Sequence, residues 1–158
     1  MTDAISIYID ADACPVKDEV ARVAERHDIP MTFVSNAWMR LPGHPLVARV
    51  SVPNDPDAAD DWIAERAAAG DIVITNDIPL ARRCVVKGAT VLRPNGTVLD
   101  DNSIGMAVAV RDLTTHLRDT GTMTGGPAGF TKADRSRFLD KLENAVQASK
   151  RRIPPAGL

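Results

Sequence analysis

The stretch that decides the fold is Ile5-Ser6-Ile7-Tyr8-Ile9-Asp10-Ala11-Asp12-Ala13-Cys14-Pro15. Ile5, Ile7 and Ile9 alternate with Ser6 and Tyr8, the period of a strand, and the alternation stops at Asp10. Pro15 then stands where a helix can begin, and residues 16–27 have helical composition. A buried strand that ends on an acid and hands over to a helix is the opening of a strand–helix–strand unit. Such units build parallel sheets with helices on both faces.

The rest of the chain repeats the theme. Residues 31–35 (Met-Thr-Phe-Val-Ser) predict a second strand, and residues 36–45, with Pro42, Gly43 and Pro45, predict a loop long enough to be functional. A third strand is expected within 46–52. Asp55-Pro56 opens a helix expected to run to about Ala69, where Gly70 ends it. Ile72-Val73-Ile74 is a short buried strand, followed by a helix over 78–87 with Gly88 as its C-cap. Residues 90–92 make another strand, and Pro94-Asn95-Gly96 a turn. Met106, Val110, Leu113 and Leu117 share one stripe of a further helix. Residues 121–129 form a glycine-rich loop, and Thr131 with Asp134 caps a last helix. The expected fold is a three-layer α/β/α arrangement on a mainly parallel sheet. One domain over residues 1–149 and a basic, proline-containing tail over 150–158 account for the 158 residues.

Composition narrows the function classes. A hydrophobic fraction of 44% and a charged fraction of 25% are globular values, not those of a disordered chain. The net charge of −2 gives no whole-molecule field for nucleic acid, though a local basic patch would suffice. The two cysteines, Cys14 and Cys84, make no disulfide framework. No basic and apolar leader and no run of 18 apolar residues stands out, so the expectation is a soluble, cytoplasmic protein with no membrane partner.

The chemistry concentrates in aspartates. Asp10 and Asp12 follow the first strand as D-x-D, a natural clamp for a hard cation. Asp57, Asp60 and Asp61 occupy the first turns of a helix, where the helix dipole favours negative charge. Ala59, Trp62 and Ile63 define that helix's packed face; Asp60 borders it and Asp61 points nearly opposite. Asp77 follows the strand at 72–74 and is an N-cap candidate whose second oxygen remains available. Singly, each has a bland structural reading. Jointly they place carboxylates at one sheet edge, where repulsion calls for a cation. Asp10, Asp12, Asp57, Asp60 and Asp77 are the candidate ligands. An all-oxygen set selects Mg²⁺ or Mn²⁺ over zinc, and His27, His44 and His116 have no zinc spacing.

Such a cation beside a crevice commonly serves phosphoryl chemistry, which also wants basic groups to meet phosphates. Lys17, Arg82 and Arg111 are the candidate substrate contacts, joined by Asn36 and Asn76; Arg83, Arg118, Lys132 and Arg135 are further cations, most of which belong on solvated faces. The Gly125-Gly126-Pro127 loop offers amides to a phosphate but reads better as a linker. Cys14, beside carboxylates, is disfavoured as a nucleophile. Trp62 reads as core, whereas Trp38, in the long loop, is the better candidate to stack on a base.

The stretches YIDADACPVKDEV, LPGHP, DPDAADDWI, GDIVITNDIPLA, KGA, RPNG, AVRDL, LRDTG and GGPAGF, followed by DRSRF, resemble the bacterial YaiI/YqxD family, an uncharacterised group placed among the PIN-like domains. The likeness covers residues 5–143. It implies a PIN-like fold and, by analogy with the wider superfamily, a Mg²⁺- or Mn²⁺-dependent ribonuclease acting on RNA. The PIN pattern of acids after the first strand, on a middle helix and after a later strand matches Asp10, Asp60 and Asp77 as the catalytic set, with Asn76 as a neutral neighbour. Two other readings stand beside it. D-x-D also resembles haloacid-dehalogenase-type phosphatases, with Asp10 as nucleophile and Asp12 as acid, but Cys14 stands where that family prefers Thr or Val, and no clear lysine motif follows. The third is a non-enzymatic protein that binds RNA or a partner through an acid-lined groove.

Overall fold

A computed structural model of the chain describes residues 5–12, 14–55, 57–100, 102–105 and 130–152. The stripe of Met106, Val110, Leu113 and Leu117, the cations Arg111 and Arg118, the glycine-rich stretch 121–129 and residues 153–158 lie outside the described residues.

The elements in chain order are β1 (Ile7–Asp10), α1 (Lys17–Arg26), β2 (Met31–Ser35), β3 (Val47–Ser51), α2 (Ala58–Arg66), β4 (Ile72–Ile74), α3 (Ile78–Val86), β5 (Thr90–Leu92), β6 (Val98–Leu99) and α4 (Lys132–Arg152). The sheet has the order β3-β2-β1-β4-β5-β6. Every pairing is parallel except β5 with β6.

The alternation in β1 sorts the core. Ile7 and Ile9 face one side with Met31, Phe33, Ile72 and Ile74, under α1 and α4. Tyr8 faces the other with Val34, Val73 and Val91, under α2 and α3. From β1 the chain steps outward through β2 to β3, then returns to place β4 on the other side of β1. Right-handed crossovers taken in opposite directions put their helices on opposite faces. The result is the expected three-layer α/β/α fold.

The differences from expectation have local causes. Asp55 does not sit at the N-cap: its carboxylate accepts from the Asp57 N–H at 2.9 Å, and α2 begins at Ala58. That helix ends at Arg66 rather than near Ala69, because the buried Asp71 carboxylate takes the Ala68 N–H at 3.0 Å and the Ser6 N–H at 3.0 Å. The turn after Arg93 leads into β6, which antiparallel pairing adds to the sheet and which no strand pattern announces. The Thr131–Asp134 capping box forms reciprocally, at 3.0 Å in each direction. Below it α4 continues to Arg152, so Lys150, read as the start of the tail, is helical and bonds His27 at 2.8 Å. No helix among the described residues is long and apolar enough to cross a membrane.

Candidate active site: a carboxylate cluster at the sheet's switch point

β1 and β4 are neighbours from which the chain departs in opposite directions, and in open parallel sheets such a switch point leaves a crevice beyond the strands' carboxyl ends. Both strands end there in the candidate residues. Ile9 pairs with Ile74, so Asp10 comes level with Thr75. The Thr75 hydroxyl donates to Asp10 Oδ2 at 2.9 Å and accepts the Asp77 N–H at 2.9 Å. Asp77 Oδ1 accepts the Leu80 N–H at 2.9 Å and so caps α3, as expected of an N-cap aspartate. That leaves its other oxygen for the crevice.

Asp60 enters from α2. Its neighbours Ile63 and Ala64 are buried against the sheet, which holds Asp60 half-buried against the strand ends. Its carboxyl is pushed up to about 7 by burial first, then by the charge of Asp77, a hydrogen bond to the Asp77 carboxylate, and the charges of Asp10 and Asp57. Asp10 is likewise raised, by burial and by the charges of Asp12 and Asp77, with the Thr75 hydrogen bond opposing. Strands and helix thus bring Asp10, Asp60 and Asp77 into one electrostatic unit. Asp61 is exposed and pairs with Arg83 at 2.7 Å, as its side of the helix requires. Asp57 is exposed at the start of α2 and makes no side-chain cap. Asp12 turns towards the next strand end, where Oδ2 accepts the Asn36 N–H at 3.2 Å.

Among the described residues no three His, Cys, Asp or Glu side chains form a ready metal cage. One Asp10 oxygen is held by Thr75, one Asp77 oxygen by its helix and one Asp12 oxygen by Asn36. The donor chemistry itself, carboxylate oxygens with no His or Cys among them, fits a hard cation.

The candidate basic contacts divide. Lys17 donates to the Cys14 carbonyl at 2.7 Å on the rim of a neighbouring cleft. Arg82 is exposed in a separate shallow groove with Ala64, Glu65, Arg83, Val86 and Lys87, which contains none of the carboxylates at the switch point. Arg135 is committed to the Pro15 carbonyl and to Glu19. Asn36 donates to Asn54 at 3.2 Å, and Asn76 accepts from Arg93 at 3.1 Å.

A family model described as "Uncharacterized BCR, YaiI/YqxD family" matches residues 8–148. The chain belongs to the YaiI/YqxD family. Within that family it is 60% identical over 148 residues to the UPF0178 protein amb2838 of Paramagnetospirillum magneticum, covering 94% of this chain and 98% of the relative. To a UPF0178 protein of Rhodopseudomonas palustris (strain TIE-1) it is 58% identical over 153 residues, 96% of this chain and 97% of the relative. No solved structure matches the chain. The family match spans every residue of the switch-point cluster, and the family's description assigns it no activity.

Two residues of this YaiI/YqxD site escaped the reading of the sequence. Thr75, 1% exposed, is the hinge between Asp10 and Asp77. Its signal was the register: a strand ending at Ile74 beside one ending at Asp10 puts Thr75 opposite the acid. Arg93, just past β5, holds Asn76, and a lone arginine after a strand carries no signal.

Proposed function

We propose that the switch-point carboxylates bind Mg²⁺ or Mn²⁺ and hydrolyse phosphodiester bonds in RNA. The observation that carries this reading is the meeting of Asp10 and Asp77 across Thr75 at the switch point of the sheet, with half-buried Asp60 raised by burial and by their charges. A cluster that must keep a proton to relieve its own charge is a cluster suited to a cation. When bound there, Mg²⁺ or Mn²⁺ would supply charge for the phosphate and a more acidic water. Asp10, Asp60 and Asp77 would be its ligands, with Asp12 and Asp57 near enough to add field. Thr75 sets the Asp10 carboxylate in place, and the α3 N-terminus fixes Asp77. Ionised Asp60 would complete the ligand set with Asp10 and Asp77, since a carboxylate must be deprotonated to hold a cation. The PIN-like analogy supports the same triplet and the choice of RNA.

The test is Asp10→Asn, which removes one charge at nearly constant shape and leaves an oxygen for Thr75. With chelator the variant should melt at or above the parent, because a like-charge contact is relieved. With Mn²⁺ the order should reverse, since the parent gains stability by mass action and the variant has lost a ligand. Mn²⁺-dependent cleavage of single-stranded RNA should disappear in the variant. Equal destabilisation with and without Mn²⁺ would make Asp10 a structural residue and sink the reading. Reversal with no cleavage by the parent would keep the cation and discard the nuclease.

A further inference from the structure

Trp38 is 79% exposed, in the loop between β2 and β3. The guanidinium of Arg49, on the edge strand β3, lies 5.4 Å from its ring centroid. The root of the loop is pinned to the acidic edge. The Asn36 N–H donates to Asp12, the Asn36 side chain donates to Asn54, and the Ser35 hydroxyl donates to the Ala37 carbonyl at 2.8 Å. Trp38 is two residues further on, so its Cα lies within about 7 Å of that of Asn36. The loop then continues as Arg40-Leu41-Pro42, one wall of a cleft of about 410 Å³ whose other wall is Cys14, Pro15, Lys17 and Asp18. Lys17 is held on that wall by the Cys14 carbonyl. Among the described residues no carboxylate pairs with Arg40 or Arg49. In a chain of net charge −2, an exposed indole with Arg49 against it and a cleft carrying Lys17, Arg40 and Asp18 therefore share the loop that Asp12 anchors.

We propose that Trp38, with Arg40, Arg49 and Lys17, is the landing surface for a single-stranded nucleic acid, one base stacking on the indole while adjoining phosphates meet the cations. This deepens the reading of the switch-point cluster and rests on it for the direction of the strand, from the loop towards Asp12 and Asp10. A single strand is the fitting occupant because stacking needs an unpaired base face, which a duplex hides. Arginines around an aromatic platform are also the pairing that single-strand grooves use.

The experiment is done in chelator, so that binding is read apart from hydrolysis. The chain has two tryptophans, and Trp62→Phe leaves Trp38 as the sole indole. Titration at low salt with a single-stranded RNA of about ten nucleotides should quench Trp38 fluorescence. In the parent background, anisotropy of a labelled strand gives the same affinity without relying on Trp62→Phe. Trp38→Ala should weaken binding at least about tenfold, Trp38→Phe much less. Arg40→Ala and Arg49→Ala should each weaken it and lower the salt slope by about one. A duplex of the same sequence should bind far more weakly.

Unchanged binding in Trp38→Ala, or equal binding of duplex and single strand, overturns the proposal. Absence of single-strand binding while Mn²⁺-dependent cleavage persists overturns this surface and leaves the cluster's function standing. Quenching by RNA in a protein that cleaves nothing supports the surface and removes the nuclease instead. Self-association that Trp38→Ala abolishes, with no RNA bound, gives the face to a second copy and overturns it.

Discussion

Asp60 holds its proton to far higher pH than an ordinary aspartate, up to about 7, because burial disfavours its charge and ionising it would set a third negative group against Asp77 and Asp10. The consequence for stability has a definite sign. In the unfolded chain this carboxyl ionises near 3.8, and in the folded protein near 7. Between those values the folded state binds the proton and the unfolded state does not. Its contribution to stability is therefore present at low pH and is lost as pH rises from about 4 to about 7. In chelator the parent's melting temperature should fall across that window by a few degrees more than that of Asp60→Asn, the half-exposed position reducing the full linkage effect. Melts of both proteins at pH 5 and pH 8 read the difference, and parallel pH profiles would show that the proton is not held there. The side of the helix on which Asp60 lies was legible from the helical period alone, as was the exposure of Asp61. The pairing of Asp10 with Thr75 was not, because a threonine after a strand looks like any other until the register of the neighbouring strand is known. Nor was the commitment of Arg135 to Pro15 and Glu19, which depends on contacts across 120 and 116 positions.

At the scale of elements, the strands with apolar runs and the capped helices could be read, since both signals are local. What could not be read is where a distant group intervenes: Asp71 stops α2 by catching Ala68, and β6 exists only because β5 lies beside it. Gly96 shows the same dependence. It has φ +92°, a left-handed conformation that side chains rarely adopt, and a Cβ there would stand 2.7 Å from Arg137 Cγ and 2.9 Å from the Arg137 carbonyl carbon on α4. The Arg137 side chain can swing aside, but the helix backbone cannot. Gly96→Ala should therefore destabilise the protein by about 1–3 kcal/mol, with the Arg93–Gly96 turn and the β5–β6 pairing the first to loosen. Urea melts measure the loss, and hydrogen exchange at the β6 amides locates it. A variant as stable as the parent would mean that the turn does not press on α4.

Over the whole molecule, one sheet separates two cores, and the site belongs to both. Asp10 ends a strand whose Ile7 and Ile9 pack under α1 and α4, while Asp60 sits on α2 and Asp77 at the start of α3, on the other face. A cluster assembled this way holds its spacing only if the two faces melt as one unit. Leu142 of α4 is fully buried in the first core, and Trp62 packs against the second, edge-on to Tyr8 at 6.0 Å and under the Arg66 guanidinium at 4.0 Å. Leu142→Ala leaves a cavity far from Trp62 and should cost about 2–5 kcal/mol. In a Trp38→Phe background, fluorescence reports Trp62 alone and so the opposite face, while far-ultraviolet circular dichroism reports all the helices. If the fold is one cooperative domain, both probes should shift to the same lower midpoint in Leu142→Ala. A fluorescence midpoint that stays at the parent's value while the helical signal falls early would show that the faces unfold separately. The carboxylates would then be spread over two units, and Asp10 would owe its position beside Asp60 to something other than the shared sheet.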